Sequence, residues 1–428
     1  MNKDSRQGHF KGKRNLLIGL VCLIILGVGS LSFLVIRGFG VQRQPRSSSH
    51  SPFSTNSTIM MSGFDAQNTS YNPGEHIINS ENVSRLVPYW IASTLPHLLG
   101  TVGPPAVING IAYFTSGDYT ISAYEAKTGK ELWISRIGGL GFPPAVANGV
   151  VYVGSGTGYL YAFDAKTGVL LWRAQYSEGI PIVADGVIYV DSADNNLYAF
   201  NPKTGAILWK TNIGLPNPFN PRAAVTDGIV YVSSAVTLYA IDAKTGDRLW
   251  SFATKGYLSS PTVVDGIVYV GSGNPDGKLY ALDVKTGTVL WIYLTVDDAY
   301  SHIDSPAVAN GVVYISGGWK PGYIYALNAK TGTLLWTFTS PSDNQDPIMS
   351  APFVANGVVY VDTDYPGRLY ALNAKTGTSL WTFVAVPGYS ITSEPLVVNG
   401  VVYVGAINIG SGSSDTGKLY ALHLPNDT

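Results

Sequence analysis

The sequence predicts an all-β protein, an eight-bladed β-propeller of four-stranded antiparallel blades preceded by one transmembrane helix. Three observations carry that expectation. An Asn-Gly or Asp-Gly pair set between hydrophobic runs, followed by a Leu-Tyr-Ala-like strand, recurs eight times, beginning at Asn109, Asn148, Asp185, Asp227, Asp265, Asn310, Asn356 and Asn399. The spacing stays between 37 and 46 residues, and a period near 40 with four short strands per unit is the signature of a propeller. Seven copies run on through a Lys-Thr-Gly turn into Leu-Trp. Ahead of them all, Leu16 to Ile36 holds 21 residues without a charge.

As a helix that apolar run would be about 30 Å long, the thickness of a bilayer's hydrocarbon core. It is longer than the core of a signal peptide, about 7–15 residues, and ends without an Ala-x-Ala-like site. An uncleaved anchor is therefore expected over 16–36. Cys22, the only cysteine, lies mid-run with no small residue before it, a poor setting for lipid attachment. A single cysteine also leaves no disulfide to form within the chain. Five Lys/Arg precede the run and three follow within ten residues. That bias places the tail, 1–15, in the cytoplasm and the body outside. Residues 37–59 hold Ser, Pro and Arg without strand or helix period and read as a flexible linker.

Within one unit, 144–172, Pro-Ala-Val-Ala enters the Asn148-Gly149 turn. Both residues tolerate φ > 0, as a tight type I′ hairpin requires. The second strand, Val-Val-Tyr-Val-Gly, is hydrophobic nearly throughout instead of alternating, so both its faces are covered. Leu-Tyr-Ala-Phe-Asp is the third strand, Ala-Lys-Thr-Gly turns, and Val-Leu-Leu-Trp begins the outer strand. Trp90, Trp133, Trp172, Trp209, Trp250, Trp291, Trp336 and Trp381 each head an outer strand. An indole there can pack onto the next blade with its N–H on a backbone acceptor. The recurring spacing Ala-x-(Asp/Asn/Glu)-x-x-x-Gly-x-x-x-Trp leaves room for the ring against main chain. These eight are read as structural docking residues.

The count decides closure. The last unit ends at Thr428 without a Trp, whereas Trp90 precedes the first complete unit. Strand 86–93 is expected to complete the eighth blade beside 418–424, closing the domain 60–428 with no open sheet edge.

The Ala-x-Asp-Ala-Lys-Thr-Gly-x-x-x-Trp unit resembles the tryptophan-docking motif of the pyrroloquinoline-quinone (PQQ) repeat family over about residues 60–424. The leader, 62–90, also resembles the segment before the first blade of quinoprotein-like propellers. The resemblance implies one of two roles. One is a PQQ-dependent alcohol or glucose dehydrogenase. The other is a non-catalytic BamB-like protein of outer-membrane assembly, which binds protein partners.

Residues 1–59 carry eight Lys/Arg and one acid, leaving 19 basic and 27 acidic residues for 60–428. An acidic body without a cationic groove excludes a nucleic-acid partner. One end of the ring carries short, near-identical hairpins. The other carries variable loops: the second-to-third loops (192–196, 273–278, 317–323, 362–368, 406–418) and the blade-crossing loops (212–222, 295–304, 340–350, 386–394). Variable loops on a rigid ring are where function concentrates, so this face is expected to meet a protein or cell-envelope partner. Trp319, the one Trp outside the docking frame, is either a partner or carbohydrate anchor or the packing of its own loop. Arg222, His302, Asp304 and Glu394 fall at or near the starts of innermost strands, at the channel mouth.

Asp297, Asp298, Asp343 and Asp346, like Asp191, Asp194, Asp362 and Asp364, offer oxygens of the kind Ca²⁺ takes. Without ligand spacing they read as solvated turn acids. His302 has no second histidine at zinc spacing. Asn56, Asn68, Asn82 and Asn426 sit in glycosylation sequons, which matter only in a secreted eukaryotic setting.

A quinone dehydrogenase needs a base near the substrate hydroxyl, a cation on the quinone oxygens and a sandwich around a flat cofactor. The resemblance to PQQ alcohol dehydrogenases implies a vicinal Cys-Cys disulfide, which one cysteine cannot form. No Cys-x-x-Cys-His haem motif is present either. Asp304 is the first acid to test as a base. The expectation is a single-pass, membrane-anchored extracytoplasmic propeller acting as a non-catalytic protein-binding or assembly scaffold, with no cofactor or metal. The alternative is a PQQ- and Ca²⁺-dependent oxidoreductase of alcohols or sugars.

Overall fold

The computed structural model describes residues 59–93, 103–175, 178–215, 217, 221–295, 303–318, 321–341, 347–348, 350–364, 366–408 and 417–425. The tail, the apolar run 16–36 and the linker up to residue 58 lie outside them. Among the described residues no helix is long and apolar enough to cross a membrane.

Eight sheets form, one per repeat. Blade 2 shows the pattern: Ala145–Ala147 innermost, then Val150–Ser155, Tyr159–Asp164 and Leu170–Gln175 at the rim, each antiparallel to the last. Asn148 and Gly149 take φ of 51° and 78°, and the other seven Asn/Asp-Gly pairs are left-handed in the same way. The turn chemistry read from the sequence is thus the turn that forms. Val151, Val153, Leu160 and Ala162 are fully buried, because the middle strands are covered by a blade on each side.

The outer strand carries a bulge. Ala162 lies opposite Trp172 but Phe163 lies opposite Leu170, so Leu171 is the extra residue. Trp172 is therefore the third residue of its strand, not the head. The bulge turns the indole toward the next blade. In the seam between blades 1 and 2, Trp133 Nε1 and Tyr113 Oη both donate to Ala165 O, each at 3.0 Å. A Cβ on Gly168 would lie 2.6 Å from the Trp133 ring, so only glycine lets the indole lie against the turn. The same indole-to-carbonyl bond is made by Trp90, Trp172, Trp209, Trp250, Trp291 and Trp336.

Val87–Ser93 lies antiparallel to Gly417–His423, with Trp90 opposite Ala421. A strand that precedes the first repeat is thus the outer strand of the last blade, which also holds Leu396–Val398, Val401–Asn408 and Tyr389–Ile391. This blade has no Lys-Thr-Gly turn after Ala421. Trp381 and Tyr360, the docking pair of blade 7, meet the leader instead. A short 3₁₀ turn, Val83–Arg85, follows buried Ile78, and Ile78, Val83 and Leu86 join the apolar cluster on which Trp381 packs. Glu75 fastens this stretch by accepting from the N–H groups of Gly400 (3.0 Å) and Ile78 (3.0 Å). Tyr360 Oη is left buried with no hydrogen-bond partner.

Candidate functional site

Each innermost strand begins at the variable-loop end and runs toward its Asn/Asp-Gly turn. Its free edge faces the ring axis, and those backbone groups need partners. For most blades the leader supplies them. Ile59–Met60 lies antiparallel on Ala145–Ala147, with Ile59 opposite Ala147 and Met60 opposite Val146. The chain therefore enters from the turn end and climbs toward the loop end. It reverses through Phe64, Asn68 and Ser70, at φ of 75°, 58° and 47°. Along this curve the middle valines of four successive inner strands donate to it. Val225 bonds Ala66 O (2.6 Å), Val263 bonds Gln67 O (3.0 Å), Val308 bonds Thr69 O (3.0 Å) and Val354 bonds Ser70 O (2.9 Å). Tyr71–Asn72 then descends parallel to Phe353–Ala355, and Asn72 Nδ2 donates to Val397 O at 2.9 Å. Phe64 stands edge-on to Phe353, ring centres 6.0 Å apart.

Arg222 pins the reversal. It precedes the inner strand Ala224–Thr226 and is only 3% exposed. Its Nε donates to Asn68 Oδ1 (2.9 Å) and its Nη1 to Ser62 Oγ (2.6 Å). The same Nη1 pairs with Glu394, while Nη2 is buried without a partner. Asn68 is itself fully buried and donates to Pro261 O at 3.0 Å, which leaves no access for a glycan. A Cβ on Gly63 would fall 1.8 Å from Asn68 Oδ1, so the turn closes only around glycine.

Two of the expected mouth residues, Arg222 and Glu394, are thus brought together, with Arg222 beneath the surface. Asp304 accepts from Ser316 Oγ at 3.0 Å, and Ser316 Oγ also contacts Ser350 O at 3.0 Å. Ser350 Oγ in turn donates to Asp362. Burial first, then the charges of Asp304 and Glu394, hold the Asp362 carboxyl well above the usual carboxylate range, and its Oδ2 has no partner. Elsewhere, burial pushes Asp65 up to about 6 and Asp191 up to about 7. Asp194 accepts from Tyr198 Oη at 2.5 Å. His302, Trp319, Asp297, Asp298, Asp343 and Asp346 lie outside the described residues. Among the described residues no three acidic, histidine or cysteine side chains converge as a metal would require.

Near the mouth the described residues thus gather one arginine and three carboxyl groups. Arg222 is committed to Glu394 and to the leader. The leader runs along the inner edges of several blades. What the loop end does offer is exposed apolar surface on its blade-crossing loops: Leu215 is 73% exposed, Val386 45% and Tyr257 44%. Sequence reasoning located Arg222 and Glu394 but missed Ser62, Gly63 and Asn68. The one available signal was an arginine at the start of a buried strand, which demands partners.

Residues 117–217, 196–318 and 301–424 match the family model described as outer membrane protein assembly factor BamB. No curated protein sequence matches the chain. Among solved structures it is similar to quinohemoprotein alcohol dehydrogenase ADHIIG from Pseudomonas putida HK5, at 16% identity and TM-score 0.69 over 86% of this chain and 80% of that one. A europium-containing methanol dehydrogenase gives 16% identity and TM-score 0.66 over 85% and 98% of the two chains. BamB from Moraxella catarrhalis gives 17% and 0.60 over 78% and 99%. At such identities the likeness to these structures is one of fold.

Proposed function

The chain belongs to the family described as outer membrane protein assembly factor BamB, and from that membership we propose that it is a non-catalytic protein-binding scaffold of the cell envelope. The variable-loop end of the ring meets the partner. The observation that supports this reading is the leader, which runs along the inner strand edges and is pinned by Arg222, itself paired with Glu394. Exposed Leu215, Tyr257 and Val386 then give the loop end an apolar contact surface suited to protein. Residues 16–36 tether the ring to the cell membrane as a single span, with the tail in the cytoplasm and the propeller outside. The support for that is the uncharged run and its flanking charges.

Calorimetric titration of the full chain with PQQ, with and without Ca²⁺, tests the reading. No saturable binding is expected at high micromolar cofactor. One-to-one binding would overturn it in favour of the PQQ- and Ca²⁺-dependent oxidoreductase.

A further inference from the structure

We infer that Asn109 and Asn148 are sites of spontaneous covalent modification, each turning through a cyclic imide into aspartate or isoaspartate, the isoaspartate loosening the seams on either side of blade 1, and that the leader spares the matching asparagines of blades 7 and 8. Five asparagines precede glycine in this chain: Asn109, Asn148, Asn310, Asn356 and Asn399. All five head the same tight turn, with φ between 41° and 53°, so turn geometry does not rank them. Their surroundings do. Asn109 and Asn148 are exposed, as are Gly110 and Gly149, and neither side-chain amide bonds a described residue. A cavity of about 260 Å³ opens beside both, walled by Ile108, Tyr113 and Val146, and gives the two side chains room to turn. In blade 7, by contrast, Asn356 Nδ2 donates to Ile78 O of the leader at 2.9 Å. In blade 8 the leader holds the attacking atom instead. Gly400 is buried against Ile77, which a Cβ there would meet at 2.9 Å, and its N–H donates to Glu75 Oε2 at 3.0 Å. Asn310 is reached by a single contact, from Tyr71 Oη at 3.3 Å, and lies outside the contrast.

Asparagine is a thermally labile residue, and the reaction needs only water and base. The glycine N–H gives its proton to hydroxide, its nitrogen attacks Cγ of the preceding asparagine, and the Cγ–Nδ2 bond breaks as ammonia leaves with a proton from water. Water then opens the imide. Cleavage at Cγ restores the main chain and leaves aspartate. Cleavage at the original carbonyl carbon leaves isoaspartate, whose main chain runs through Cβ and Cγ. In sum one water enters and one ammonia departs. A carboxylate beside the attacking nitrogen disfavours its anion, so Glu75 protects Asn399 by charge as well as by position. The two products differ in consequence. Aspartate already heads this turn in blades 3, 4 and 5, where Asp185, Asp227 and Asp265 take φ of 49°, 50° and 51°. Isoaspartate adds a main-chain atom to a two-residue turn whose register sets Ala147 opposite Val150. These turns also seat the docking carbonyls. Ala165 N donates to Gly149 O (2.9 Å) and Ala126 N to Gly110 O (2.8 Å), while Ala165 O and Ala126 O accept from Trp133 and Trp90 respectively. Isoaspartate at either turn therefore loosens an indole seam. The inference does not depend on what the ring binds.

The full chain is held for weeks at mildly alkaline pH, folded and, in parallel, in denaturant. Each Asn-Gly peptide is then followed by mass spectrometry, with isoaspartate told from aspartate by labelling with an isoaspartate methyltransferase. In the folded chain Asn109 and Asn148 should convert at least tenfold faster than Asn356 and Asn399, and in denaturant the four rates should converge. The aged chain should melt below the fresh one, whereas fresh N109D/N148D, which carries the tolerated product, should melt where the fresh parent does. Equal rates in the folded chain, or no conversion at Asn109 and Asn148, overturns the inference. So does a ranking that survives in denaturant, because neighbouring sequence and not the leader would then set it. An aged chain that melts unchanged, or a fresh N109D/N148D that melts as low as the aged parent, overturns the role given to isoaspartate in the seams.

Discussion

Between blades 1 and 2 the seam is made by the repeat itself: Trp133 and Tyr113 share Ala165 O, and Gly168 lets the indole lie flat. Between blades 7 and 8 the equivalent Trp381 and Tyr360 find no Lys-Thr-Gly turn, and Ile78, Val83 and Leu86 fill the gap. One seam is local and self-sufficient. The other depends on a segment that also forms the closing strand and occupies the axis. A tandem repeat can sew each unit to the next, but its last seam needs a part outside the repeat.

Removing residues 60–95 breaks the comparison most severely. Blade 8 loses its outer strand, the eighth seam its filling and the inner valines their acceptors. The combined loss exceeds the ~5–15 kcal/mol by which domains are stable, so circular dichroism should show no cooperative melt. An unaltered melt would mean that the repeats close alone. A smaller effect is expected from Arg222→Met, which strips the donors from Asn68 Oδ1, Ser62 and Glu394. Glu394 keeps partial access to water, which softens the penalty. Denaturant unfolding should register a loss of roughly 2–4 kcal/mol, partly restored by adding Glu394→Gln. A neutral Arg222→Met would show that the reversal holds without its pin. The finest contrast lies between Trp133→Phe and Trp381→Phe. Both lose ring area, but only the first deprives a docking carbonyl of its indole donor, so it should cost about 0.5–1.5 kcal/mol more. Equal costs would erase the distinction between the seams.

Much of this architecture is legible in the sequence because its causes are side chains at fixed spacing. Asn148-Gly149 announces its turn, Gly168 and Trp133 announce a docked pair, and the missing final Trp announces Trp90 as its replacement. The leader's course is not legible, because its bonds run mostly between backbone atoms. Nothing in the side chains of Val225, Val263, Val308 and Val354 says that their N–H groups will meet Ala66, Gln67, Thr69 and Ser70. Arg222 reads as a mouth residue, and its burial is not legible either. Its burial is set by Ser62 and Asn68, which reach it across more than 150 residues of chain. Trp381 reads like the other tryptophans because its own strand is regular; the difference lies in the blade it faces.

The pairing of Val87–Ser93 with Gly417–His423 also dictates the order of events during synthesis. The leader leaves the ribosome before any blade exists, and its partner strand is made only after seven blades. At roughly 5–20 residues per second, the nascent chain carries Ile78, Val83 and Leu86 unburied for tens of seconds while seven blades assemble behind them. A ribosome that stalls anywhere in that interval yields a product with two ragged sheet edges, recognisable to proteases and chaperones as unfinished. Completion of the ring is the chain's own proof that the eighth blade has been made.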